Sequence, residues 1–419
     1  MATIVESGTP RAWAVDEALG RLLDAERGRQ RDCLNLLAGE NVMAPAVHQL
    51  LGSAFAEKYA EGYPGRRHHT GCGPADAVEE LAARRAEALF GAVHANVQPY
   101  SGSVALLAAA AALLKPGDSV LAMSVAHGGH LTSGSAANFS GRWFDVAGYG
   151  VRRADGRIDL DQVRDLARAH RPKVLLAGAI AYPRAIDWAA FREIADEVGA
   201  FLVADAAQTL GLSAAGLIAS PVPHADVVVG VSHKLLGGPR GGFLLCTREL
   251  AERIDRAVFP FVQGGPMVNQ LAAKAYIFGQ ADRPAFGDYA AQCVANAQVL
   301  AEGLAAEGFR PLTGGTDTHL VTVDAEATGL TGRELELRAE EAGLLLGRCA
   351  VPFAPTPPSE AAGLRMGTAW TTSQGLREPE LEHVARLIGR IARGDRGAAG
   401  EIRELAQSTK PQCGESASF

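Results

Sequence analysis

Short apolar runs alternate with longer amphipathic stretches through the middle of this chain. The apolar runs are mostly continuous, which is typical of parallel strands covered by helices on both faces. Apolar spacing of three and four residues predicts helices between them, at 160–170 and 189–199. The pattern indicates an α/β protein with a mainly parallel sheet. The predicted strands are 119–123, 174–180, 201–205, 226–231 and 242–246.

The pattern changes in the last third of the chain. A long helix is predicted near 286–308, and it is followed by a short strand, a helix and a Pro-rich loop at 352–358. This change predicts a second, smaller α/β domain. We therefore expect an N-terminal arm at 1–32, a large domain at 33–285, a small C-terminal domain at 286–407 and a flexible tail at 408–419.

Composition excludes several classes of protein. Of the 419 residues, 47% are hydrophobic and 21% are charged, which is the balance of a soluble globular protein. The net charge of -7, without a basic run, argues against nucleic acid or an anionic membrane as the main partner. The six cysteines lack CxxC spacing, which argues for a reducing compartment and against a metal site. Neither a secretory signal nor a membrane-spanning run is visible, so we expect a cytoplasmic protein.

Candidate chemistry begins with Lys234 in 230-GVSHKLLGGPRGG-242. A predicted strand ends at Val231, so this lysine lies at the edge where open α/β sheets bind ligands. Asp205 ends another predicted strand and reaches the same edge. Each residue alone has an ordinary interpretation, because a lysine can snorkel at a strand end and an aspartate can cap a helix.

The segment 101–103 adds a third element. Ser101, Gly102 and Ser103 precede an Ala/Leu helix that carries almost no charge, and small residues at a helix start can bind an anion. An ordinary serine N-cap is the simpler interpretation of this segment alone. Together, however, an amine, a carboxylate for a pyridine nitrogen and a phosphate cup fit one cofactor, pyridoxal phosphate.

Longer motifs carry a resemblance to a known family. The chain resembles the serine hydroxymethyltransferases from about residue 33 to 395, and the resemblance implies an aspartate-aminotransferase-like fold of type I with a seven-stranded sheet. The motifs are 38-AGEN-41, 57-EKYAEGYPGRR-67, 95-ANVQPYSGS-103, 126-AHGGHLT-132, 182-YPRAIDW-188, 233-HK-234, 237-GGPRGG-242, 263-QGGP-266 and 364-LRMGT-368.

The resemblance implies roles for individual residues. Lys234 would hold the cofactor as a Schiff base, Asp205 would pair with the pyridine nitrogen, and His127 would stack on the ring. Arg365 would bind the substrate carboxylate as a bidentate pair. Ser101, Gly102, Ser103 and Ser232 would hold the phosphate, and Gln208 would also contact the cofactor. His233 would help to position Lys234, although it could equally be a core residue.

The resemblance also implies shared active sites. Tyr59 and Gly265 would reach the site of a neighbouring subunit, which makes the protein a homodimer, or a tetramer of two such dimers. Glu61 would be the acid/base carboxylate near the substrate hydroxyl.

Several positions depart from the family pattern. His68 and His69 stand where two tyrosines are usual, Gln208 replaces a histidine, and Gly39 and Ile180 replace serines. Arg348 and Cys349 occupy the loop that usually offers an asparagine to folate. Cofactor residues are thus kept, while substrate and folate residues differ.

These departures favour a folate-independent enzyme of the L-threonine transaldolase type, which makes β-hydroxy amino acids for natural products. It would cleave a β-hydroxy amino acid to a glycine quinonoid and pass the glycine unit to another aldehyde. The base would be Glu61, His68 or His69. The alternatives are a serine hydroxymethyltransferase that uses tetrahydrofolate and an α-methylserine-type hydroxymethyltransferase. A non-catalytic scaffold is disfavoured, because it need not keep Lys234, Asp205 and Arg365 together.

Overall fold

The computed structural model describes residues 16–357 and 359–409. Most of the predicted tail, and residues 1–15 of the predicted arm, lie outside the described residues. None of the helices in this part of the chain is both long and apolar enough to cross a bilayer. The α-helices are α1 Glu17–Asp32, α2 Pro45–Leu51, α3 Gly73–Phe90, α4 Gly102–Leu113, α5 Phe139–Trp143, α6 Leu160–His170, α7 Trp188–Val198, α8 Leu210–Ala214, α9 Ala251–Arg256, α10 Val268–Ala281, α11 Pro284–Ala306, α12 Gly332–Glu341, α13 Ala369–Ser373, α14 Glu378–Ala392 and α15 Ala398–Ser408.

A seven-stranded sheet organises the first two thirds of the chain, in the order β4-β10-β9-β8-β7-β5-β6. Strands β5 to β9 run parallel, whereas β10 is antiparallel to both of its neighbours. This mainly parallel sheet confirms the predicted fold class. Its strands are β4 Ala95–Asn96, β5 Ser119–Met123, β6 Asp145–Tyr149, β7 Val174–Gly178, β8 Phe201–Asp205, β9 Val227–Val231 and β10 Gly242–Cys246.

The predicted strand 174–180 ends two residues early, at Gly178. Gly178 has a φ of +153°, and a Cβ there would lie 2.4 Å from the carbonyl oxygen of Asp205. Only glycine fits this close approach of two neighbouring strands. The chain therefore leaves the sheet beside Asp205, and the backbone of Ile180 becomes available to groups outside the sheet.

A second apolar core surrounds a four-stranded antiparallel sheet in the order β11-β12-β15-β14. The long helix α11 begins at Pro284, close to the predicted start at 286, and packs against α14. Leu34 and Leu36 belong to this core as well, because β1 pairs in parallel with β13. These strands are β1 Leu34–Asn35, β11 Arg310–Pro311, β12 Leu320–Asp324, β13 Leu344–Leu345, β14 Gly347–Cys349 and β15 Gly363–Gly367; a separate hairpin consists of β2 Gly62–Tyr63 and β3 Arg66–Arg67.

Candidate active site

Lys234 lies three residues beyond the end of β9, in a loop that folds back on itself. The Ser232 amide donates to Gly241 O at 3.1 Å, and the Gly238 amide donates to Ser232 O at 2.7 Å. The Asn41 side chain donates to the carbonyl of Lys234 at 2.9 Å, so the lysine backbone is held from outside the loop as well. The loop therefore presents one amine at a fixed place on the carboxyl edge of the sheet.

The charge state of Lys234 is shifted toward the free amine. Burial lowers the pKa of Lys234 to about 8, Asp205 opposes this shift, and the cations Arg365 and Arg240 add to it. An amine with a lowered pKa is a better nucleophile near neutral pH. The structure thus places Asp205 and Arg365 within electrostatic reach of Lys234, as the sequence predicted.

A histidine that sequence reasoning missed, His130, joins this group. Its pKa is lowered by burial, and it interacts electrostatically with Asp205, Lys234 and Arg365. Gly128 and Gly129 reverse the chain just before it: Gly128 has a φ of +107°, and a Cβ on Gly129 would lie 2.1 Å from a backbone oxygen. This reversal returns His130 to the edge of the sheet.

His127, which we expected to stack on the cofactor ring, contacts Val151 and Phe353. Its Nδ1 accepts a hydrogen bond from the amide of Val151 at 3.0 Å, and its ring meets that of Phe353 edge-on at 4.8 Å. Burial alone lowers its pKa. The glycine pair turns the second histidine of AHGGH, rather than the first, toward Lys234, so His130 is the histidine that interacts with Lys234 and Asp205. The stacking role expected of His127 stays a prediction.

The predicted phosphate cup begins α4. Ser101 caps this helix by accepting a hydrogen bond from the Val104 amide at 3.2 Å. The first amides of a helix have no partner within it, so those of Gly102 and Ser103 point out of the helix start. Gly102 packs closely, since a Cβ there would lie 2.7 Å from Val231. The start of α4 is thereby pressed against the end of the strand that leads to Lys234.

Ser232, which we expected to help hold the phosphate, uses its hydroxyl within its own loop. Its side chain is 0% exposed, and its hydroxyl donates to Pro239 O at 2.6 Å. Ser232 therefore fastens the loop that follows β9. Its neighbour His233 has a pKa lowered to about 4, mainly by burial and then by Lys234 and Arg240.

Several buried polar atoms around Lys234 have no partner among the described residues. They are His233 Nδ1, Gln208 Oε1 and Arg365 Nε. A buried polar atom without a partner costs roughly 1–3 kcal/mol, so such a cluster indicates a polar ligand. A ligand that carries a phosphate, a ring nitrogen and a carboxylate would supply hydrogen-bond partners for these atoms.

Arg365 lies on β15 and reaches from the second core toward the large sheet. Its Nη1 donates to Ile180 O at 3.1 Å, and burial lowers its pKa.

Cys349 pairs in register with Gly363, two residues from Arg365. Burial raises the pKa of the Cys349 thiol to about 12, while Arg365 opposes the shift, so the thiol is neutral. Arg348, in contrast, is exposed and forms an ion pair with Glu336.

Glu61, Tyr59 and His69 form a separate cluster beside the β2–β3 hairpin. Tyr59 Oη lies 3.3 Å from Glu61 Oε1, and His69 Nε2 lies 3.4 Å from Glu61 Oε2. Gly265 packs on the stem of the Glu61 side chain, since a Cβ there would lie 3.1 Å from Glu61 Cγ. His68 does not join them, because its ring faces Phe259 at 5.6 Å.

A further residue that the sequence did not reveal holds this hairpin. Arg67 donates to the carbonyl oxygens of Ala60 and Gly62, on either side of Glu61, at 2.9 and 2.6 Å. Asp76 and the buried Glu79 hold the guanidinium in turn, at 2.8 and 2.6 Å. The backbone of Glu61 is therefore fixed although its carboxylate is partly exposed.

The fold and the surroundings of Lys234 define a class of enzyme. A mainly parallel seven-stranded sheet with a lysine and an aspartate at its carboxyl edge is the arrangement of pyridoxal-phosphate enzymes of fold type I. The sequence model of the family described as serine hydroxymethyltransferase matches residues 13–388. The chain therefore belongs to the serine hydroxymethyltransferase family, and it is a transferase that depends on pyridoxal phosphate and acts on small molecules.

Proposed function

We propose that this enzyme is a folate-independent transaldolase of the L-threonine type. It exchanges the aldehyde of a β-hydroxy amino acid for a second aldehyde. The observation that carries the proposal is the contact between His69 and Glu61, at 3.4 Å, in a place where the resemblance leads one to expect tyrosine. An imidazole next to a carboxylate gives the site a pair of groups suited to general acid–base catalysis.

The residues divide the reaction between them. The guanidinium of Arg365 binds the substrate carboxylate, and the amine of Lys234 would hold the pyridoxal phosphate beside it. The Glu61–His69 pair takes the proton of the β-hydroxyl, the Cα–Cβ bond breaks, and acetaldehyde leaves. Pyridoxal phosphate, when bound, supplies the electron sink for the two bonding electrons that stay on Cα. Cα then forms a bond to the carbonyl carbon of a second aldehyde, and the Glu61–His69 pair returns the proton to the new hydroxyl.

The surroundings of Arg365 favour a folate-independent reaction. An asparagine amide offers both a donor and an acceptor to a pteridine edge, whereas a thiol offers weak versions of each. Burial keeps the Cys349 thiol protonated, so it carries no compensating charge. The guanidinium of Arg348 forms an ion pair with Glu336, so it does not replace the asparagine amide as a contact to the pteridine. Each unmatched polar contact weakens folate binding by about 1–3 kcal/mol.

We propose a homodimer in which each subunit completes the other's site. A large aromatic side chain of the Glu61 cluster is exposed, because Tyr59 is 61% exposed although its Oη lies 3.3 Å from Glu61 Oε1. Large exposed apolar side chains near polar catalytic groups are typical of an interface. The partner's copy of the Glu61 cluster would then serve the Lys234 of this chain.

A second candidate is an α-methylserine-type hydroxymethyltransferase. One observation favours it: a Cβ added at Gly39 would meet no atom within 4 Å. This open space, in the position of a family serine, would accept a substituent on Cα. Formaldehyde release from α-methylserine, at a rate above that of acetaldehyde release from threonine, would select this candidate over the transaldolase.

Transfer of the glycine unit from threonine to a second aldehyde tests the proposal. The enzyme is incubated with threonine and an aromatic aldehyde, without folate, and the products are separated by chromatography. A new β-hydroxy amino acid that contains the aromatic group supports the proposal. Release of acetaldehyde and glycine alone indicates a simple aldolase, and no turnover without tetrahydrofolate contradicts the proposal.

A further inference from the structure

A second buried lysine, Lys274, lies close to the predicted phosphate cup. It belongs to α10, and its side chain is 1% exposed. Its Nζ donates to three backbone carbonyls, those of Val97, Pro99 and Gly242, at 2.7, 3.1 and 2.8 Å. Three acceptors match the three hydrogens of an ammonium group. The geometry therefore suits the charged form of Lys274, even though it is buried.

The three carbonyls belong to the backbone that supports the start of α4. Val97 and Pro99 lie in the segment that leads to Ser101, and the Gly242 amide donates to Pro99 O at 3.0 Å. A Cβ on Gly242 would lie 2.3 Å from Ser101 O, and one on Gly241 would lie 2.5 Å from Lys274 Cε. The lysine thus lies directly behind the first residues of the helix.

The charge of Lys274 has no matching anion in contact among the described residues. Within residues 16–357 and 359–409, Lys274 forms no ion pair with a carboxylate. Glu79 acts on it only at longer range, and that carboxylate already pairs with Arg67 at 2.6 Å. Burial lowers the pKa of Lys274 to about 7, because the buried ammonium loses its solvation and Glu79 offsets this loss only in part.

We infer that Lys274 is a positioning residue for the cofactor phosphate. By binding the carbonyls of Val97, Pro99 and Gly242, it directs those oxygens away from the cup and leaves the amides at the helix start to the anion. The phosphate dianion supplies the counter-charge that the surrounding protein lacks. This role is independent of the acceptor aldehyde and of folate.

The test compares two cofactors that differ only in the phosphate. Full-length apoenzyme is titrated with pyridoxal phosphate and with pyridoxal, which lacks the anion, and the two dissociation constants are measured by absorbance. The variants are Lys274→Gln, which keeps hydrogen-bond donors and loses the charge, and Lys274→Met, which loses both. Lys115→Met is the control, because Lys115 is exposed beyond the other end of α4 and its loss removes the same charge.

We expect Lys274→Gln to weaken pyridoxal phosphate binding about ten- to a hundred-fold and pyridoxal binding by less than about three-fold. Lys274→Met should weaken both, with the larger loss for the phosphate form, and Lys115→Met should change neither. Should Lys274→Met fail to fold, Lys274→Gln decides alone. Equal losses for the two ligands, unchanged binding of the phosphate form, or a Lys274→Gln protein that does not fold would overturn the inference and leave Lys274 as a structural residue.

Discussion

Glu61 and His69 face each other across the β2–β3 hairpin, with His69 Nε2 3.4 Å from Glu61 Oε2. The amide of the adjacent His68 donates to Glu61 O at 3.0 Å, which fixes the register of the two segments. The two neighbouring histidines thereby have different surroundings, because one faces the carboxylate and the other packs on Phe259.

This difference gives the first prediction. We expect His69→Phe to lower kcat for threonine cleavage by about a hundred-fold or more, since it removes a proton-transfer group. His68→Phe is the matched control, and it should keep kcat within about three-fold, because the new ring preserves the packing on Phe259. Steady-state kinetics at several pH values would measure both variants. Equal losses of kcat in the two variants would mean that His69 is not the proton-transfer group.

The second prediction concerns Arg365. We expect Arg365→Lys to raise the KM for the amino acid about ten- to a hundred-fold, because a point charge cannot reproduce two parallel hydrogen bonds. Arg348→Lys is the control, since Arg348 is exposed and paired with Glu336, and it should leave KM unchanged. Unchanged half-saturation in Arg365→Lys would remove this residue from the substrate site.

Cys349 gives the third prediction. We expect Cys349→Asn to tighten tetrahydrofolate binding about ten-fold or more, because it supplies the amide donor and acceptor that the thiol lacks. Cys349→Ser, which restores one hydroxyl and no amide, serves as the comparison. Isothermal titration of the holoenzyme with tetrahydrofolate measures both. A wild-type protein that already binds folate as tightly as Cys349→Asn would contradict the role of this position.

The fourth prediction concerns acid stability. His319 is 0% exposed, and burial lowers its pKa from 6.5 to about 3. Between these values the unfolded chain takes up a proton that the folded chain does not, so folded stability falls as pH decreases through this window. The contribution approaches about 1.4 kcal/mol per pH unit. Urea unfolding at pH 6 and pH 5 should show a smaller loss for His319→Leu than for the wild type, and an identical loss would refute it.

Lys234 and Asp205 were predictable from the sequence, whereas His130 was not. Continuous apolar strands have clear ends, and the ends of parallel strands share one edge, so both residues follow from pattern alone. The choice between His127 and His130 depends on how Gly128 and Gly129 turn the chain, which no periodicity reveals. The hydrogen bond from the Ser232 hydroxyl to Pro239 O was not predictable for a similar reason, because Pro239 belongs to a loop that folds back.

The remaining groups depend on contacts between distant segments. Lys274 is the only charged residue in the apolar helix sequence VNQLAAKAYIFGQA. This was the one sign in the sequence that a charge is buried there. Its three carbonyl partners come from two other segments. The boundary of the predicted domains and the homodimer stay predictions.

The central claim is that this enzyme acts on threonine without folate. The most direct measurement is acetaldehyde release from threonine by the holoenzyme, with and without tetrahydrofolate, beside serine cleavage under the same conditions. We predict that threonine is cleaved faster than serine and that micromolar tetrahydrofolate changes neither rate. Serine cleavage that exceeds threonine cleavage and that saturates at micromolar tetrahydrofolate would contradict the account and identify an ordinary serine hydroxymethyltransferase.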